Sequence, residues 1–109
     1  MQWPQLLSYF FGGAFFANAV PHFVSGVMGK PFQSPFAKPR GQGLSSSTVN
    51  VLWGFFNIAI FYLLVCRAGD FEVRNAADAG AFGFGMLALG LFCARRFGRF
   101  NGGNAPERQ

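Results

Sequence analysis

The sequence predicts an all-α integral membrane protein with three transmembrane helices. Hydrophobic residues make up 51% of the 109 residues, and only 12% are charged. A soluble domain usually carries about 25% charged residues, so this chain has too few to cover a water-exposed surface. The apolar residues fall into three long runs, at about 5–28, 48–65 and 76–94, and none of the runs alternates strictly between polar and apolar positions.

Each run is close to the length that a membrane-spanning helix needs. About 20 residues at 1.5 Å per residue cross about 30 Å of hydrocarbon. Helices and closed barrels alone satisfy their backbone in lipid, and runs of this kind indicate helices. No basic side chain precedes the first run in MQWPQ, so we expect this run to be retained rather than cleaved as a signal peptide.

The helix boundaries carry capping signals. Ser45, Ser46 and Ser47 offer N-caps before the second run, and Asn75 with Asp78 resembles a capping box before the third. We expect residues 1–100 to form one three-helix membrane domain. Residues 101–109, NGGNAPERQ, lack an apolar pattern, and we therefore predict that they form a disordered cytoplasmic tail.

The basic residues predict the orientation. Three lie between the first two runs and four after the third, whereas only Arg67 and Arg74 lie between the second and third runs. Basic residues accumulate on the cytoplasmic side of a membrane, so the N-terminus is predicted outside and the C-terminus in the cytoplasm. The predicted location is the inner (cytoplasmic) membrane of a bacterial cell, as a multi-pass protein. The net charge of +5 does not indicate nucleic-acid binding, because no extended basic helix is present.

Polar residues inside the first two runs predict an intramembrane polar site. Asn18 and His22 are four residues apart and share a helix face, and Asn50 and Asn57 share a face with Trp53. Counted from the cytoplasmic side, Asn18 and Asn57 both lie about 13–15 Å deep, while His22 and Asn50 both lie nearer the interface. Polar faces at matched depths on consecutive antiparallel helices are expected to face each other rather than lipid.

The role of this polar site stays open at the level of sequence. Pro21 leaves the Ala17 carbonyl without its helical donor, and Asn57 or a water held by His22 is expected to replace it. Hydrogen bonds between helices commonly serve packing alone, but an ionisable residue within the membrane also suggests a ligand or proton-handling site. Metal or haem ligation is the least supported alternative, because the chain has a single histidine.

Catalysis and metal binding have little support. Asp70, Glu72 and Asp78 belong to the outer side and Glu107 to the tail, so none of these carboxylates can orient His22. Cys66 and the other cysteine, at 93, fall at opposite membrane faces and form no CxxC motif. We therefore predict no catalytic residues, no metal and no cofactor.

The third run contains small residues at four-residue spacing. Ala77, Ala81 and Gly85 allow the backbones of two helices to approach closely, either within the three-helix unit or in a dimer. Three helices of this size cannot enclose much of a pore, so any transport would require an oligomer. The protein is expected to form a homo-oligomer or to join a larger membrane complex.

The loop between the first two runs predicts contacts with lipid headgroups. Phe32 and Phe36 are expected to dip into the interface, with basic residues meeting headgroups, including anionic ones, at about 1 kcal/mol each. The RGQGLSSST run predicts either a phosphate site at a helix N-terminus or a capped connector. The expected headgroup contacts are Lys30, Lys38, Arg40, Arg95, Arg96 and Arg99.

One segment carries a family resemblance. PHFVSGVMGKPFQSPFAKP followed by GLSSSTVNVLWG, about residues 21–54, resembles a group of small uncharacterised bacterial multi-pass membrane proteins. The resemblance implies a bacterial cytoplasmic membrane and no particular activity. The His-Phe pair in the first run is also similar to DoxX-like membrane proteins, which usually have four spans.

The sequence thus predicts an interaction or accessory subunit rather than an enzyme. Its small-residue and Asn/His helix faces would pack against other membrane helices. The alternative is an oligomeric small transporter, or a ligand- or lipid-binding membrane protein, that uses the polar site on the first two helices.

Overall fold

Three helices account for most of the chain. The computed structural model describes residues 2–108, and about 70% of the chain is helical. Helix α1 spans Trp3–Val27, α2 spans Ser47–Tyr62 and continues as a π-helical segment over Leu63–Arg67, and α3 spans Ala76–Asn101. All three are long and apolar enough to cross a membrane, which confirms the three helices predicted from hydropathy.

Helix α1 lies between the other two, and close contacts at glycine hold the three together. A Cβ atom added to Gly54 of α2 would lie 2.7 Å from the backbone nitrogen of Phe23. A Cβ atom on Gly85 of α3 would lie 1.8 Å from the carbonyl oxygen of Phe10. Both partners are in α1, so α1 approaches its two neighbours at backbone distance. Helices in lipid rely on such close approach to associate, because an apolar side chain gains little by exchanging lipid neighbours for neighbours on another helix.

The small residues of α3 thus pack within the chain. Gly85 is buried against α1, and Ala77 and Ala81 are half-buried beside Trp3 and Phe10 of α1. Of the two arrangements that the four-residue spacing allows, the structure shows the one inside the three-helix unit.

The helix ends differ from the sequence-based boundaries for identifiable reasons. Helix α1 begins at Trp3 because Pro4 is well tolerated in a first helical turn. Helix α3 continues beyond residue 94 to Asn101 and ends at Gly102, whose φ of +85° is the left-handed conformation that favours glycine. Within the predicted tail, the Asn104 side chain donates a hydrogen bond to the Arg95 carbonyl at 2.9 Å, and Pro106–Arg108 forms a 3-10 turn.

The loop between α1 and α2 folds back over the end of the bundle, which the sequence does not predict. Strand β1, Phe32–Gln33, pairs antiparallel with strand β2, Leu44–Ser45. The Phe32 ring packs against His22 and Phe97, with centroids 5.6 and 4.7 Å away. Phe32 is half-buried by these contacts with α1 and α3, which its expected position in the interface did not include. Phe36, the other phenylalanine expected in the interface, is 61% exposed.

The loop between α2 and α3, at the opposite end of the bundle, contacts α1 through Phe71. The edge of the Phe71 ring meets Tyr9 at a centroid distance of 5.0 Å. Asn75 caps α3 by accepting a hydrogen bond from the Asp78 backbone N–H at 3.0 Å. The Asp78 carboxylate accepts from the backbone N–H of Glu72 at 3.1 Å, so the predicted capping box is confirmed on the Asn75 side only.

The glycine contacts generate a matched test of helix packing. Replacing Gly85 with Ala is expected to destabilise the protein by about 1–3 kcal/mol, because the added methyl group meets the Phe10 carbonyl of α1. Gly80→Ala is the control, since a Cβ at Gly80 has open space around it and both substitutions raise the helix propensity of α3 equally. Denaturant unfolding in detergent micelles measures both. Equal stability of the two variants would contradict the packing assignment.

Candidate functional site

The position of the site follows from the start of α2. The Ser46 side chain caps this helix by accepting a hydrogen bond from the Val49 backbone N–H at 3.2 Å, which confirms one of the three predicted serine caps. Asn50 then lies in the first turn, on the face that meets α1, and its side chain is completely buried.

The Asn50 side chain connects four segments of the chain. Its amide nitrogen Nδ2 lies 3.2 Å from the Phe32 carbonyl in β1, 3.2 Å from the Ser45 carbonyl in β2 and 3.0 Å from the Ser46 carbonyl at the helix cap. Its oxygen Oδ1 lies 2.8 Å from Nδ1 of His22 in α1. Asn50 therefore fixes the hairpin to both helices at once.

This network determines which nitrogen of His22 carries the proton. All three partners of the Asn50 Nδ2 atom are carbonyl oxygens, so Nδ2 must be the donor and Oδ1 must be the acceptor. The Nδ1 atom of His22 consequently donates to Oδ1. In the neutral imidazole this leaves Nε2 as an acceptor, and Nε2 makes no hydrogen bond to residues 2–108.

A second polar pair lies deeper between the same helices. The Asn18 amide donates to Oδ1 of Asn57 at 3.1 Å, and Asn57 is completely buried. The Asn57 amide donates to the Trp53 carbonyl of its own helix at 2.8 Å, rather than to the Ala17 carbonyl that Pro21 leaves free. The structure thus brings together both pairs expected from matched depth, His22 with Asn50 and Asn18 with Asn57.

Cys93 of α3 joins this deeper pair. Its thiol lies 3.8 Å from Oδ1 of Asn18, and the side chain is buried. The sequence placed Cys93 at one membrane face and gave it no role in a site. Its position on the face of α3 toward α1 is set by packing at Gly85, a contact between distant parts of the chain.

Aromatic rings surround His22. Phe32, Trp53 and Phe97 meet the imidazole edge-on, with ring centroids 5.6, 6.3 and 5.8 Å away. His22 itself is only 2% exposed. The imidazole is thus held in one orientation by its hydrogen bond to Asn50 and by rings from the hairpin and from two helices.

A cavity of about 190 Å³ opens beside this cluster. We call it the loop chamber, because the hairpin segment around Gln33 forms one wall while the three helices form the others. The residues that matter for its chemistry are Asn18, His22, Gln33, Trp53, Arg96 and Phe97.

Several polar groups around the loop chamber lack partners in the described part of the chain. The indole Nε1–H of Trp53 is buried without an acceptor. The Arg96 guanidinium is half-buried and makes no hydrogen bond or ion pair, although it lies 5.7 Å from the centre of the Phe100 ring. Gln33 is 6% exposed, and only its oxygen is used, accepting from the Asn101 amide at 3.2 Å. A fully buried polar atom without a partner costs about 1–3 kcal/mol, and Trp53 Nε1 is the one side-chain atom of this kind among the described residues.

The sequence did not single out Gln33 for any site, and it assigned Arg96 to lipid headgroups only. The Arg96 side chain turns toward the loop, where its Nη2 atom would lie 2.7 Å from a Cβ atom on Gly41. Gly41 has a φ of +72°, so a glycine permits both the turn and the approach of the guanidinium. The other predicted headgroup contacts are exposed at this end of the molecule: Lys30, Lys38, Arg40, Arg95 and Arg99.

At the N-terminus of α2, the Ser46 hydroxyl caps one of the first backbone N–H groups, that of Val49. This arrangement favours the capped connector over the phosphate site that the RGQGLSSST run also allowed. Within residues 2–108, no group of three His, Cys, Asp or Glu side chains is placed to hold a metal ion.

Comparison with known proteins adds no assignment. No family model, no curated protein and no solved structure matches this chain. Its function therefore has to be argued from its own contacts.

The Asn50 network makes a prediction about stability. Replacing Asn50 with Leu is expected to cost about 2–4 kcal/mol, because His22 loses its acceptor and three backbone carbonyls lose a donor in a buried position. Asn57→Leu is the matched control and should cost only about 1 kcal/mol, since it removes one bond between helices and one within α2. Hydrogen exchange should show faster exchange over residues 28–46 for Asn50→Leu alone. Similar exchange in both variants would rule out Asn50 as the anchor of the hairpin.

Proposed function

We propose that this chain is a multi-pass protein of the bacterial inner membrane that binds a ligand in the loop chamber. Three apolar helices of spanning length support insertion in a membrane. The distribution of basic residues supports an outer N-terminus and a cytoplasmic C-terminus. With this orientation the hairpin and the loop chamber lie at the cytoplasmic interface.

One observation carries the binding proposal, namely the unpartnered polar groups on the walls of the loop chamber. His22 Nε2 offers an acceptor and the Gln33 amide offers donors. A protein gains nothing in stability from leaving such groups unpaired at a cavity of about 190 Å³. Sites for small molecules commonly combine apolar walls with a few convergent polar groups, as this chamber does.

The proposal is one of binding rather than catalysis. Asp70, Glu72 and Asp78 belong to the loop at the far end of the bundle or to the first turn of α3 there. His22 is oriented by the neutral amide of Asn50 instead of a carboxylate. The polar cluster can recognise a ligand by hydrogen bonds, but it has no acid–base pair of the kind that hydrolases use.

A second candidate is an accessory role in an oligomer or larger membrane complex, and the outer face of α3 favours it. Gly83 and Gly90 are exposed, and a Cβ atom on either would meet nothing within 4 Å. Such a face allows close approach by a helix from another subunit. The polar residues Asn18, His22, Asn50 and Asn57 do not support this role, because they are used inside the chain.

Native mass spectrometry of protein purified in a mild detergent tests both candidates. We expect a non-covalent adduct on the wild-type chain, and the loss of one buried hydrogen bond in Gln33→Leu should weaken its binding about tenfold. Gln42→Leu is the control, because Gln42 is an exposed glutamine of the same loop. No adduct on the wild-type chain, or equal adducts on both variants, would contradict ligand binding. The same spectra count subunits, and a strictly monomeric chain without partners would contradict the accessory role.

The proposed orientation predicts a labelling pattern. Cys66 is exposed at the end of α2 that lies away from the hairpin. An impermeant maleimide added to intact cells is therefore expected to label Cys66. In a Cys66→Ser background, Gln42→Cys should be labelled only after the cells are permeabilised. The reverse pattern would invert the topology.

A further inference from the structure

The charge around the loop chamber indicates what kind of ligand it takes. Arg96 contributes a half-buried cation without an ion pair in the described residues. Lys30, Lys38 and Arg40 are exposed on the adjoining loop, and the only carboxylate described at this end is Glu107, which is exposed in the C-terminal turn. An unpaired guanidinium at a partly dry site favours an anion with several oxygen atoms, such as a phosphate.

The hydrogen-bonding groups fit the same chemistry. The free N–H groups of Gln33 can only donate, so they require an acceptor oxygen. His22 Nε2 can accept from a hydroxyl group of the ligand. Phosphate diesters that carry a hydroxylated headgroup supply both features.

An apolar groove adjoins the loop chamber. It runs along the lipid-facing side of α2 and is lined by Phe36, Val49, Leu52, Trp53 and Phe56. Leu52 and Phe56 are 65% and 53% exposed, and the ring of Trp53 stacks on Phe56 at a centroid distance of 5.7 Å. Trp53 lines both the loop chamber and this groove, so the two meet at its indole. We call this surface the Trp53 groove.

We propose that the ligand is an anionic phospholipid, with its phosphate and headgroup in the loop chamber and one acyl chain in the Trp53 groove. This inference rests on the proposed binding function and names the class of ligand. Arg96 selects the negative charge, Gln33 donates to a headgroup oxygen, and His22 accepts from a headgroup hydroxyl. The hairpin that Asn50 fixes over the bundle holds Gln33 in place, so the site is formed before the lipid arrives.

Trp53 provides a direct probe of this binding. Trp3→Phe removes the only other tryptophan, which is 69% exposed at the start of α1, and leaves Trp53 as the single reporter. The full chain is freed of lipid by detergent exchange and titrated in micelles with phosphatidylglycerol, with phosphatidylcholine and with soluble glycerol phosphate. We expect a saturable change in Trp53 emission with phosphatidylglycerol, at least about tenfold weaker binding of phosphatidylcholine, and no saturation by glycerol phosphate at the same concentrations.

Substitutions at Arg96 and Leu52 test the two halves of the site. Arg96→Gln is expected to weaken phosphatidylglycerol binding about tenfold, whereas Arg74→Gln, which removes the same charge from an exposed position at the opposite end of the bundle, should leave it within about twofold. Leu52→Ala should weaken binding about threefold through lost acyl-chain contacts. Leu91→Ala is its control, since Leu91 is 57% exposed on α3, away from the Trp53 groove.

The outcomes separate this inference from the binding function on which it rests. Equal binding of the two phospholipids, or equal effects of Arg96→Gln and Arg74→Gln, overturns the recognition of negative charge. Binding of glycerol phosphate as tightly as phosphatidylglycerol overturns the lipid assignment and identifies a site for free phosphate compounds. In all these cases an adduct in native mass spectra still supports a ligand of another class. If no titrant changes Trp53 emission and no adduct is found, both the inference and the binding function fail.

Discussion

An amide buried among apolar helices must have hydrogen-bond partners for both its nitrogen and its oxygen, and this requirement on Asn50 organises the cytoplasmic half of the proposed topology. Water cannot replace a missing partner at a completely buried side chain. The two N–H bonds of the Asn50 amide face carbonyls of β1, β2 and the cap of α2, and its oxygen is satisfied by His22. The position of the hairpin, the register of α1 against α2 and the protonated nitrogen of His22 therefore depend on one another.

Glycine contacts fix how α2 and α3 pack against α1 along the rest of the bundle. Gly54 lies one helical turn from Asn50 and brings α2 onto the backbone of α1 at Phe23, next to His22. Gly85 does the same for α3 at Phe10, and so places Cys93 beside Asn18. In a membrane, where lipid chains compete for apolar surface, such contacts and the internal hydrogen bonds are what distinguish one helix arrangement from another. Bulk hydrophobicity makes the helices apolar enough to span a membrane, and these few residues decide how they pack.

Much of the fold and the pairing of polar residues could be predicted, because both depend on position along a helix. Hydropathy located the three helices, and equal depth paired Asn18 with Asn57 and His22 with Asn50. The loop could not be predicted in the same way. The burial of Phe32 and Gln33 depends on α3 residues far away in sequence, Phe97 and Asn101, and the direction of Arg96 depends on a positive-φ turn at Gly41. None of these contacts leaves a periodic signal, so the loop chamber emerged only in three dimensions.

The groups around the loop chamber differ in how firmly they are held, and this difference bears on selectivity. His22 is fixed by Asn50, Gln33 by Asn101, and Trp53 by the rings of Phe36 and Phe56. Groups already held in place lose little conformational entropy on binding, so they can contribute geometric selectivity efficiently. Arg96 has no such hydrogen bond and touches only the Phe100 ring and the Gly41 turn. A fixed set of donors with one adjustable cation suits ligands that share a phosphate but differ in the rest of the headgroup. If the proposed lipid binding holds, such a site would recognise a class of anionic lipids rather than a single compound.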